Sequence, residues 1–382
     1  MTRLTIAQIN TPQGIIDLGR GDPDHSLLPL KELKLSAEGY FDGGDRRPLQ
    51  YGTEQGDGYF RRDLSNFLSD ANAVSVDPDM LFISSGASSA LDLISTLFTR
   101  SGDVIFVEEP TYFLALRIFQ DHGLKIYPLP MDQDGLCLEG LEERIKKYQP
   151  KLIYVIPTFQ NPTGRTLSQE RREILIELVR QTNVLIVADE VYQLLAYTQT
   201  PPQPFANYAG QEKQVISLNS FSKILAPGLR LGWLQAHPTV IERLTGSGLL
   251  DSGGGMNPFT SALVRNLVAS GGLGENIQKL RTEYVSRLEA MGAALHKYLP
   301  ASEWVLPQGG FFYWVRLPGL DAVELRNRAK DFKVDLRQGA LFSSQQGMRD
   351  FFRLSFSFYD PTDIEEGVRR LGECLQVLYK GI

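Results

Sequence analysis

The chain has 382 residues and a formal net charge of −6, and its 42% hydrophobic and 22% charged residues suffice for about two globular domains. The mild acidity argues against a general nucleic-acid-binding protein, and two cysteines with four scattered histidines argue against a disulfide scaffold and a metal site. Because no apolar run reaches membrane-spanning length and no secretory signal is recognisable, we expect a cytoplasmic enzyme without metal or membrane partner.

Residues 1–45 are rich in proline and glycine and predict an arm rather than a domain. In residues 46–280, short apolar runs alternate with amphipathic stretches, as is typical of parallel strands buried on both faces and covered by helices. We therefore predict a doubly wound α/β domain with its ligands at the carboxyl ends of the strands. The predicted strands lie at 80–84, 103–109, 151–157, 184–190 and 214–220, and predicted helices include 138–148 and 168–182.

The pattern changes after about residue 275, where strands and helices predict a smaller α+β domain over residues 281–382. We expect the arm to belong to this smaller domain and the first long helix to connect the two domains. The predicted elements are helices at 277–299, 322–332 and 364–379 and strands at 311–317 and 351–358.

Lys223 follows the apolar run at 214–220, so we expect it in a loop held near the core. Loss of hydration lowers the pKa of a lysine, and a neutral amine can attack an aldehyde to form a Schiff base. The ordinary alternative is a solvated loop lysine.

Asp189 ends another apolar run and needs a cationic or hydrogen-bonding partner, either a protonated pyridine nitrogen or a structural salt bridge. Tyr192 would place a phenol near the same partner. Asn161, in the segment Asn-Pro-Thr-Gly, is either an amide held for a ring oxygen or part of an ordinary turn.

Gly86 follows the strand at 80–84 and allows a tight turn into a helix, whose first N–H groups would bind an anion such as a phosphate. A serine-rich helix cap is the ordinary alternative. The glycine-rich motifs of dinucleotide-binding and P-loop proteins are absent from the sequence. The candidate anion contacts are the amides of Ala87 and Ser88 with the side chains of Ser220, Ser222 and Arg230.

Asp189 lies 28 residues after Asn161 and 34 residues before Lys223, so each interval accommodates one helix and one strand. With these motifs in this order, the chain resembles the fold-type I, pyridoxal 5′-phosphate-dependent class I/II aminotransferases, and most of all the branch with 2-aminoadipate and kynurenine aminotransferases. The resemblance implies a large, mostly parallel seven-stranded sheet domain plus a smaller α+β domain.

The resemblance also implies site residues. Lys223 would form the internal aldimine with the cofactor and move the proton, while Asp189 would pair with the pyridinium nitrogen. Asn161 and Tyr192 would bond the 3′-oxygen of the ring, and Tyr112 would stack on its face. The implied phosphate contacts are Gly86, Ala87, Ser88, Ser220, Ser222 and Arg230.

By the same resemblance, Arg353 and Gly21 together with Asn161 would bind the carboxylate of the substrate. Tyr51 would reach the phosphate of a neighbouring subunit, which implies a homodimer. Two segments depart from the family pattern: Gln338 replaces a proline, and residues 247–259 are so rich in glycine that they suggest a mobile loop.

The leading hypothesis is a ping-pong transamination from an L-amino acid to a 2-oxo acid, with 2-oxoglutarate as the expected acceptor. A lyase that eliminates at a C–S bond would use the same lysine and aspartate, and a non-catalytic sensor of amino acids is a third possibility. Arg20, Arg46 and Arg47 are candidates to meet a distal carboxylate, although solvated arginines are the more ordinary expectation.

Overall fold

The computed structural model describes residues 11–198 and 200–380, so residues 1–10 of the predicted arm lie outside the described part. The strands are β1 (Ile16–Asp17), β2 (Leu81–Ser84), β3 (Val104–Glu109), β4 (Lys125–Asp132), β5 (Gly135–Leu136), β6 (Leu152–Val155), β7 (Leu185–Asp189), β8 (Val215–Ser220), β9 (Gly232–Ala236), β10 (Phe312–Arg316), β11 (Val334–Asp335), β12 (Arg337–Gln338) and β13 (Phe351–Ser355). The helices are α1 (Leu30–Asp42), α2 (Gly58–Asn72), α3 (Ala87–Phe98), α4 (Phe113–Asp121), α5 (Leu141–Tyr148), α6 (Gln169–Arg180), α7 (Ala206–Ala209), α8 (Pro238–Thr245), α9 (Gly248–Gly253), α10 (Pro258–Ala269), α11 (Gly272–Tyr298), α12 (Ala322–Ala329) and α13 (Pro361–Lys380).

One large sheet has the strand order β2-β9-β8-β7-β6-β3-β4-β5. Strands β8, β7, β6, β3 and β4 run parallel to one another, whereas β9 runs antiparallel to both β2 and β8. The last strand, β5, has two residues and only extends the edge as a hairpin with β4. The doubly wound, mostly parallel fold with seven main strands is therefore confirmed.

Each of the five predicted apolar runs contains a strand of this sheet, and β2, β6 and β8 are buried along their whole length. Strand β4 was not predicted, because it lies near the sheet edge with several exposed residues and contains Pro128 and Pro130. Strand β9 was also not predicted. Its five buried residues include a glycine and a glutamine, which interrupt the apolar pattern.

The C-terminal part of the chain forms a three-stranded antiparallel sheet in the order β10-β13-β12. The arm reaches this part, since β1 pairs in parallel with β11 through Ile16 and Val334. Helix α11 has 27 residues and spans the predicted boundary at residue 280. The division into domains at residues 45 and 280 stays a prediction. Among the described residues, no helix combines the length and apolar character needed to cross a membrane.

The glycine-rich segment 247–259 was expected to be a loop, and this expectation is wrong for Gly248–Gly253, which form α9. Leu250 is 1% exposed and belongs to the core between the large sheet and helices α3, α4 and α8. Burial of this side chain offsets the low helix propensity of the neighbouring glycines. The segment returns to a non-helical conformation at Gly254, whose φ is 69°.

A buried arginine on α6 joins this helix to neighbouring loops through hydrogen bonds. The Arg172 side chain is fully buried, and its nearest carboxylate, Glu190, is 3.9 Å away. Burial lowers the pKa of Arg172 to about 10, so the side chain keeps its charge at neutral pH. Its guanidinium donates hydrogen bonds of 2.7–3.0 Å to the carbonyl oxygens of Pro157, Leu167 and Gln203 and to Thr158 Oγ1.

We expect Arg172→Met to lower the free energy of unfolding by roughly 3–5 kcal/mol, because it leaves Glu190 and several carbonyl groups buried without their cation. Urea-induced unfolding measures the change. Arg180→Met on the same helix is the matched control, since the Arg180 side chain is 48% exposed and water can solvate the carboxylates of Glu177 and Glu212 after the substitution, so the change should be much smaller. Equal stabilities of the two variants would contradict this account.

Candidate functional site

The predicted polar residues meet at the carboxyl edge of the large sheet. Asp189 ends β7, and Lys223 lies in the turn three residues after β8. Asn161 lies in the loop after β6, and Tyr112 follows β3 as the residue that caps α4. Because β8, β7, β6 and β3 are consecutive neighbours in the sheet, these four side chains belong to one continuous cleft.

Asp189 is buried, and only one of its two oxygens accepts a hydrogen bond from the described part of the chain. Tyr154, on the neighbouring strand β6, donates a 2.7 Å hydrogen bond to Asp189 Oδ2. Its register partner on β7 is Val187, two residues before Asp189, so the two side chains lie diagonally on one face. Asp189 Oδ1 is buried without a hydrogen-bond partner among the described residues. Burial raises the pKa of Asp189 to about 6, and the bond from Tyr154 opposes this rise.

The Lys223 side chain points toward the arm. Its Nζ donates a 2.7 Å hydrogen bond to the carbonyl oxygen of Gly21 and lies 5.5 Å from the centre of the Phe311 ring. Desolvation lowers the pKa of Lys223 to about 8, while the nearby charges of Asp22 and Asp189 oppose the shift. The uncharged amine is therefore far more accessible near neutral pH than in an ordinary lysine.

Arg353, on β13, joins three distant segments of the chain. Its Nη1 donates to Asn161 Oδ1 and its Nη2 to the carbonyl oxygen of Gly19, each at 2.8 Å. The guanidinium lies 3.9 Å over the ring of Phe312, and its Nε is buried without a partner among the described residues. A Cβ at Gly21 would lie 3.2 Å from the Phe312 ring, which is tighter than an ordinary contact, and 3.6 Å from Arg353 Nη2. Burial lowers the pKa of Arg353 to about 10, so it stays cationic and suited to a carboxylate.

Tyr112 and Tyr192 supply aromatic walls to the same cleft. Burial raises the pKa of Tyr112 to about 12, and burial likewise raises the pKa of Tyr192. Both phenols are therefore neutral donors at physiological pH. Tyr192 packs edge-on against Phe311 and Phe312, with ring centroids 5.4 and 5.9 Å apart.

The start of α3 and the entry to β9 meet in a corner that contains the predicted anion contacts, which we call the anion corner. Gly86 caps α3 with a φ of 94°, and Arg230 Nη2, which donates to the Ser85 carbonyl oxygen at 3.1 Å, would lie 2.9 Å from a Cβ at Gly86. Gly232 is paired with both Ser84 on β2 and Ser220 on β8, so the two loops lie side by side. Ser220 Oγ is 2.9 Å from Ser222 Oγ. The first-turn amides of Ala87 and Ser88 have no acceptor within the helix.

The three arginines that were candidates to meet a distal carboxylate differ in their exposure. Arg20 is only 6% exposed, so the expectation that it is solvated is wrong. Asp22 accepts two hydrogen bonds from it, and its guanidinium stacks 3.5 Å from the centre of the Phe358 ring. Arg46 is exposed, and Arg47 pairs at the surface with Asp45.

Tyr51 lies at the surface of the protein. It is 83% exposed and lines an open cavity of about 390 Å³ beside Tyr59 and Pro258. Further large apolar side chains are exposed on the same N-terminal and α10 segments, namely Leu30, Leu35, Phe41, Leu49 and Phe259.

Sequence reasoning missed three residues that support the site. Tyr154 lies inside an apolar run, where an aromatic residue is expected to be part of the core. Gln160, which is 1% exposed, is hydrogen-bonded beneath the Asn161 loop, and its place directly before Asn-Pro-Thr-Gly could have drawn attention to it. Asn257 donates to the carbonyl oxygen of Arg230 and to Ser85 Oγ, but the glycine-rich segment around it predicted only a loop.

Comparisons with known proteins identify the family of this chain. A family model described as "Aminotransferase class I and II" matches residues 13–371. The chain is 32% identical over 370 residues to aromatic-amino-acid aminotransferase 1 of Thermococcus litoralis, covering 95% of this chain and 88% of the relative.

Two solved structures share the fold over nearly the whole chain. One is the multiple substrate aminotransferase of Thermococcus profundus, with a TM-score of 0.90, 33% identity and coverage of 97% and 93%. The other is the alpha-aminoadipate aminotransferase LysN of Thermus thermophilus, complexed with N-(5′-phosphopyridoxyl)-L-leucine, with a TM-score of 0.88, 30% identity and coverage of 97% and 94%. The chain therefore belongs to the class I and II aminotransferase family, and it is a fold-type I enzyme that transfers amino groups between amino acids and 2-oxo acids with pyridoxal 5′-phosphate as its cofactor.

Proposed function

We propose that this aminotransferase moves the amino group of an L-amino acid to 2-oxoglutarate, with Lys223 as the proton carrier and Arg353 as the contact for the α-carboxylate. The observation that carries the proposal is the arrangement of three charged side chains, of which Asp189 and Arg353 are buried and Lys223 is partly buried. Lys223 Nζ donates to the carbonyl oxygen of Gly21, Gly21 adjoins the Arg353 guanidinium, and Asp189 Oδ1 has no hydrogen-bond partner among the described residues.

The cleft fits the cofactor. Asp189 Oδ1, buried and unpaired among the described residues, is the acceptor that a protonated pyridine nitrogen requires. Asn161 and Tyr192 would bond the 3′-oxygen, and Tyr112 would cover one face of the ring. Gly86 leaves the Arg230 guanidinium room at the start of α3. We assign the phosphate to this corner, with contacts from Gly86, Ala87, Ser88, Ser220, Ser222 and Arg230.

When bound, pyridoxal phosphate supplies an electron sink for the electron pair left on the substrate α-carbon. Lys223 Nζ removes the α-proton as a general base and later returns a proton as a general acid. Arg353 orients the amino acid by its α-carboxylate, and the Gly21 backbone lies beside this contact. Asp189, held as a carboxylate by Tyr154, favours the protonated ring nitrogen.

The charges around the cleft bear on substrate choice. Arg20 is engaged by Asp22 and stacked on Phe358, so we assign it a structural role. The exposed Arg46 and Arg47 lie within five residues of Tyr51, and would meet the distal carboxylate of 2-oxoglutarate if Tyr51 enters a neighbouring site. Because the relatives are named for aromatic and alpha-aminoadipate substrates, we propose donors of both kinds.

We further propose a homodimer in which Tyr51 reaches the phosphate bound by the other subunit. Tyr51 is 83% exposed and lies among other exposed apolar side chains, which an interface would cover. The isologous contact of a two-fold dimer would use this surface on both subunits and complete two sites. Location in the cytoplasm remains a prediction from the sequence.

A half-reaction screen tests the proposed function. Each amino acid is mixed with the holoenzyme, and we expect aromatic donors and 2-aminoadipate to convert the yellow form of the cofactor to its aminated form. 2-Oxoglutarate should then restore the yellow form. If no amino acid gives the conversion, the proposal fails, and release of pyruvate and ammonia without an oxo acid would indicate a lyase instead. Borohydride should fix the cofactor to the wild-type chain but not to Lys223→Ala.

The low pKa of Lys223 predicts a pH profile for its chemical modification. In cofactor-free protein, desolvation favours the neutral amine, so reductive methylation of Lys223 should rise with a midpoint near pH 8. At pH 7 about a tenth of such amines are uncharged, against far less than a hundredth for an ordinary lysine. Peptide mass spectrometry measures the profile, with exposed Lys146 as the internal control. A Lys223 midpoint near that of Lys146 would contradict the prediction.

Mixed dimers test the role of Tyr51. We expect Tyr51→Ala to raise the dissociation constant of the cofactor roughly 10- to 100-fold, as for loss of a hydrogen bond to a charged group. A dimer of one Tyr51→Ala chain and one Lys223→Ala chain should contain one site of wild-type affinity. That site takes its intact Lys223 from the first chain and its intact Tyr51 from the second. Titration of differently tagged, purified mixed dimers measures this. If the mixed dimer shows only weakened sites, Tyr51 does not act across the interface.

A further inference from the structure

Gln160 lies beneath the cleft with all of its hydrogen-bonding capacity in use. Its Nε2 donates to the Pro110 carbonyl oxygen at 2.7 Å and to Glu108 Oε2 at 3.1 Å. Its Oε1 accepts from the backbone N–H of Thr163 at 2.9 Å and from Thr163 Oγ1 at 2.8 Å. A primary amide offers two donors and two acceptor sites, so this side chain is held in one orientation. Gln160 is 1% exposed, and water cannot replace these bonds.

These bonds connect the loops that carry two of the predicted cofactor contacts. Pro110 lies two residues before Tyr112, and Gln160 directly precedes Asn161. Strands β3 and β6 are neighbours in the sheet, but their ladder ends at Val107 and Tyr154, before either loop begins. Beyond that point Gln160 supplies a direct link between the two loops.

Glu108 anchors this link to the sheet. Its Oε2 accepts a 3.0 Å hydrogen bond from the backbone N–H of Ile156 in addition to the bond from Gln160. Burial raises the pKa of Glu108 to about 8, so the carboxyl group is mainly protonated at neutral pH. The support beneath the cleft is therefore close to neutral, and it leaves Asp189 as the negative group that faces the cofactor.

We infer that Gln160 is a positioning residue that fixes Asn161 relative to Tyr112 and thereby sets the geometry at the 3′-oxygen of the cofactor and at Arg353. The inference rests on the proposed roles of Asn161 and Tyr112. Asn161 Oδ1 accepts from Arg353 Nη1 at 2.8 Å, so a displacement of the Asn161 loop also displaces the carboxylate contact. Gln160 itself touches neither substrate nor cofactor.

The test compares Gln160→Met with Gln235→Met. Met has nearly the shape of Gln but lacks the amide, and Gln235 is a buried glutamine on β9 whose Nε2 donates to the Ala206 carbonyl oxygen at 2.8 Å. We expect Gln160→Met to raise the dissociation constant of pyridoxal phosphate and to shift the pH midpoint of its visible absorption band. Its kcat/KM for the amino donor should fall by roughly 10- to 100-fold, as for a misplaced binding group. Gln235→Met should leave all three quantities at wild-type values.

A second substitution covers the case in which Gln160→Met does not fold. Gln160→Glu keeps the shape but carries at most one proton, so it cannot donate to both Pro110 and Glu108 as the amide does, and it should shift the same absorption midpoint. Thermal unfolding verifies that each variant is folded. An unchanged midpoint and cofactor affinity in a folded Gln160 variant would overturn the inference. If the wild-type enzyme converts no amino donor, the proposed function is refuted. Cofactor affinity and the absorption midpoint of the Gln160 variants test the positioning role separately.

Discussion

The hydrogen bonds of the Arg353 guanidinium bring together the arm, the Asn161 loop and the small antiparallel sheet. No carboxylate lies within ion-pair distance of this buried cation among the described residues. Neutral oxygens and the Phe312 ring hold it in place and leave most of its charge uncompensated. In the proposed mechanism the substrate carboxylate would supply the missing charge, and the cost of burying the cation has already been met by folding. The same side chain would then serve both substrate binding and the joining of these three segments.

The cleft contains opposite charges whose burial costs are balanced against one another. Burial raises the pKa of Asp189 and lowers that of Lys223, so both move toward neutrality. Each also lowers the cost of the other, because the Asp189 carboxylate opposes the shift of Lys223 and the Lys223 charge opposes that of Asp189. Tyr154 and the arm carbonyl of Gly21 complete the balance with neutral groups. This balance keeps an amine and a carboxylate near each other without an ion pair between them among the described residues.

The position of the candidate site residues at one edge of the sheet could be predicted from the sequence, because each follows an apolar run and the end of a buried strand is where polar groups can meet. Asp189, Asn161 and Lys223 are of this kind. Supporting residues could not be predicted in the same way. Tyr154 lies inside a strand, and its partner depends on the register between β6 and β7, which one strand alone does not specify. Arg20 contacts Phe358, which lies almost a whole chain length away in the sequence, so no local pattern indicates this contact. The glycine-rich composition of α9 predicted a loop, because it does not show that Leu250 is buried.

Strand β9 runs against its neighbours, so its first residue, rather than its last, lies at the ligand edge of the sheet. The segment from Lys223 to Gly232 therefore spans a fixed distance between the reactive amine and the anion corner, with Arg230 in a left-handed conformation at φ 48°. The other end of β9 lies at the opposite edge of the sheet, where His237 leads into α8. Insertions and deletions should therefore be tolerated near His237 during divergence, whereas the number of residues between Lys223 and Gly232 should be constrained.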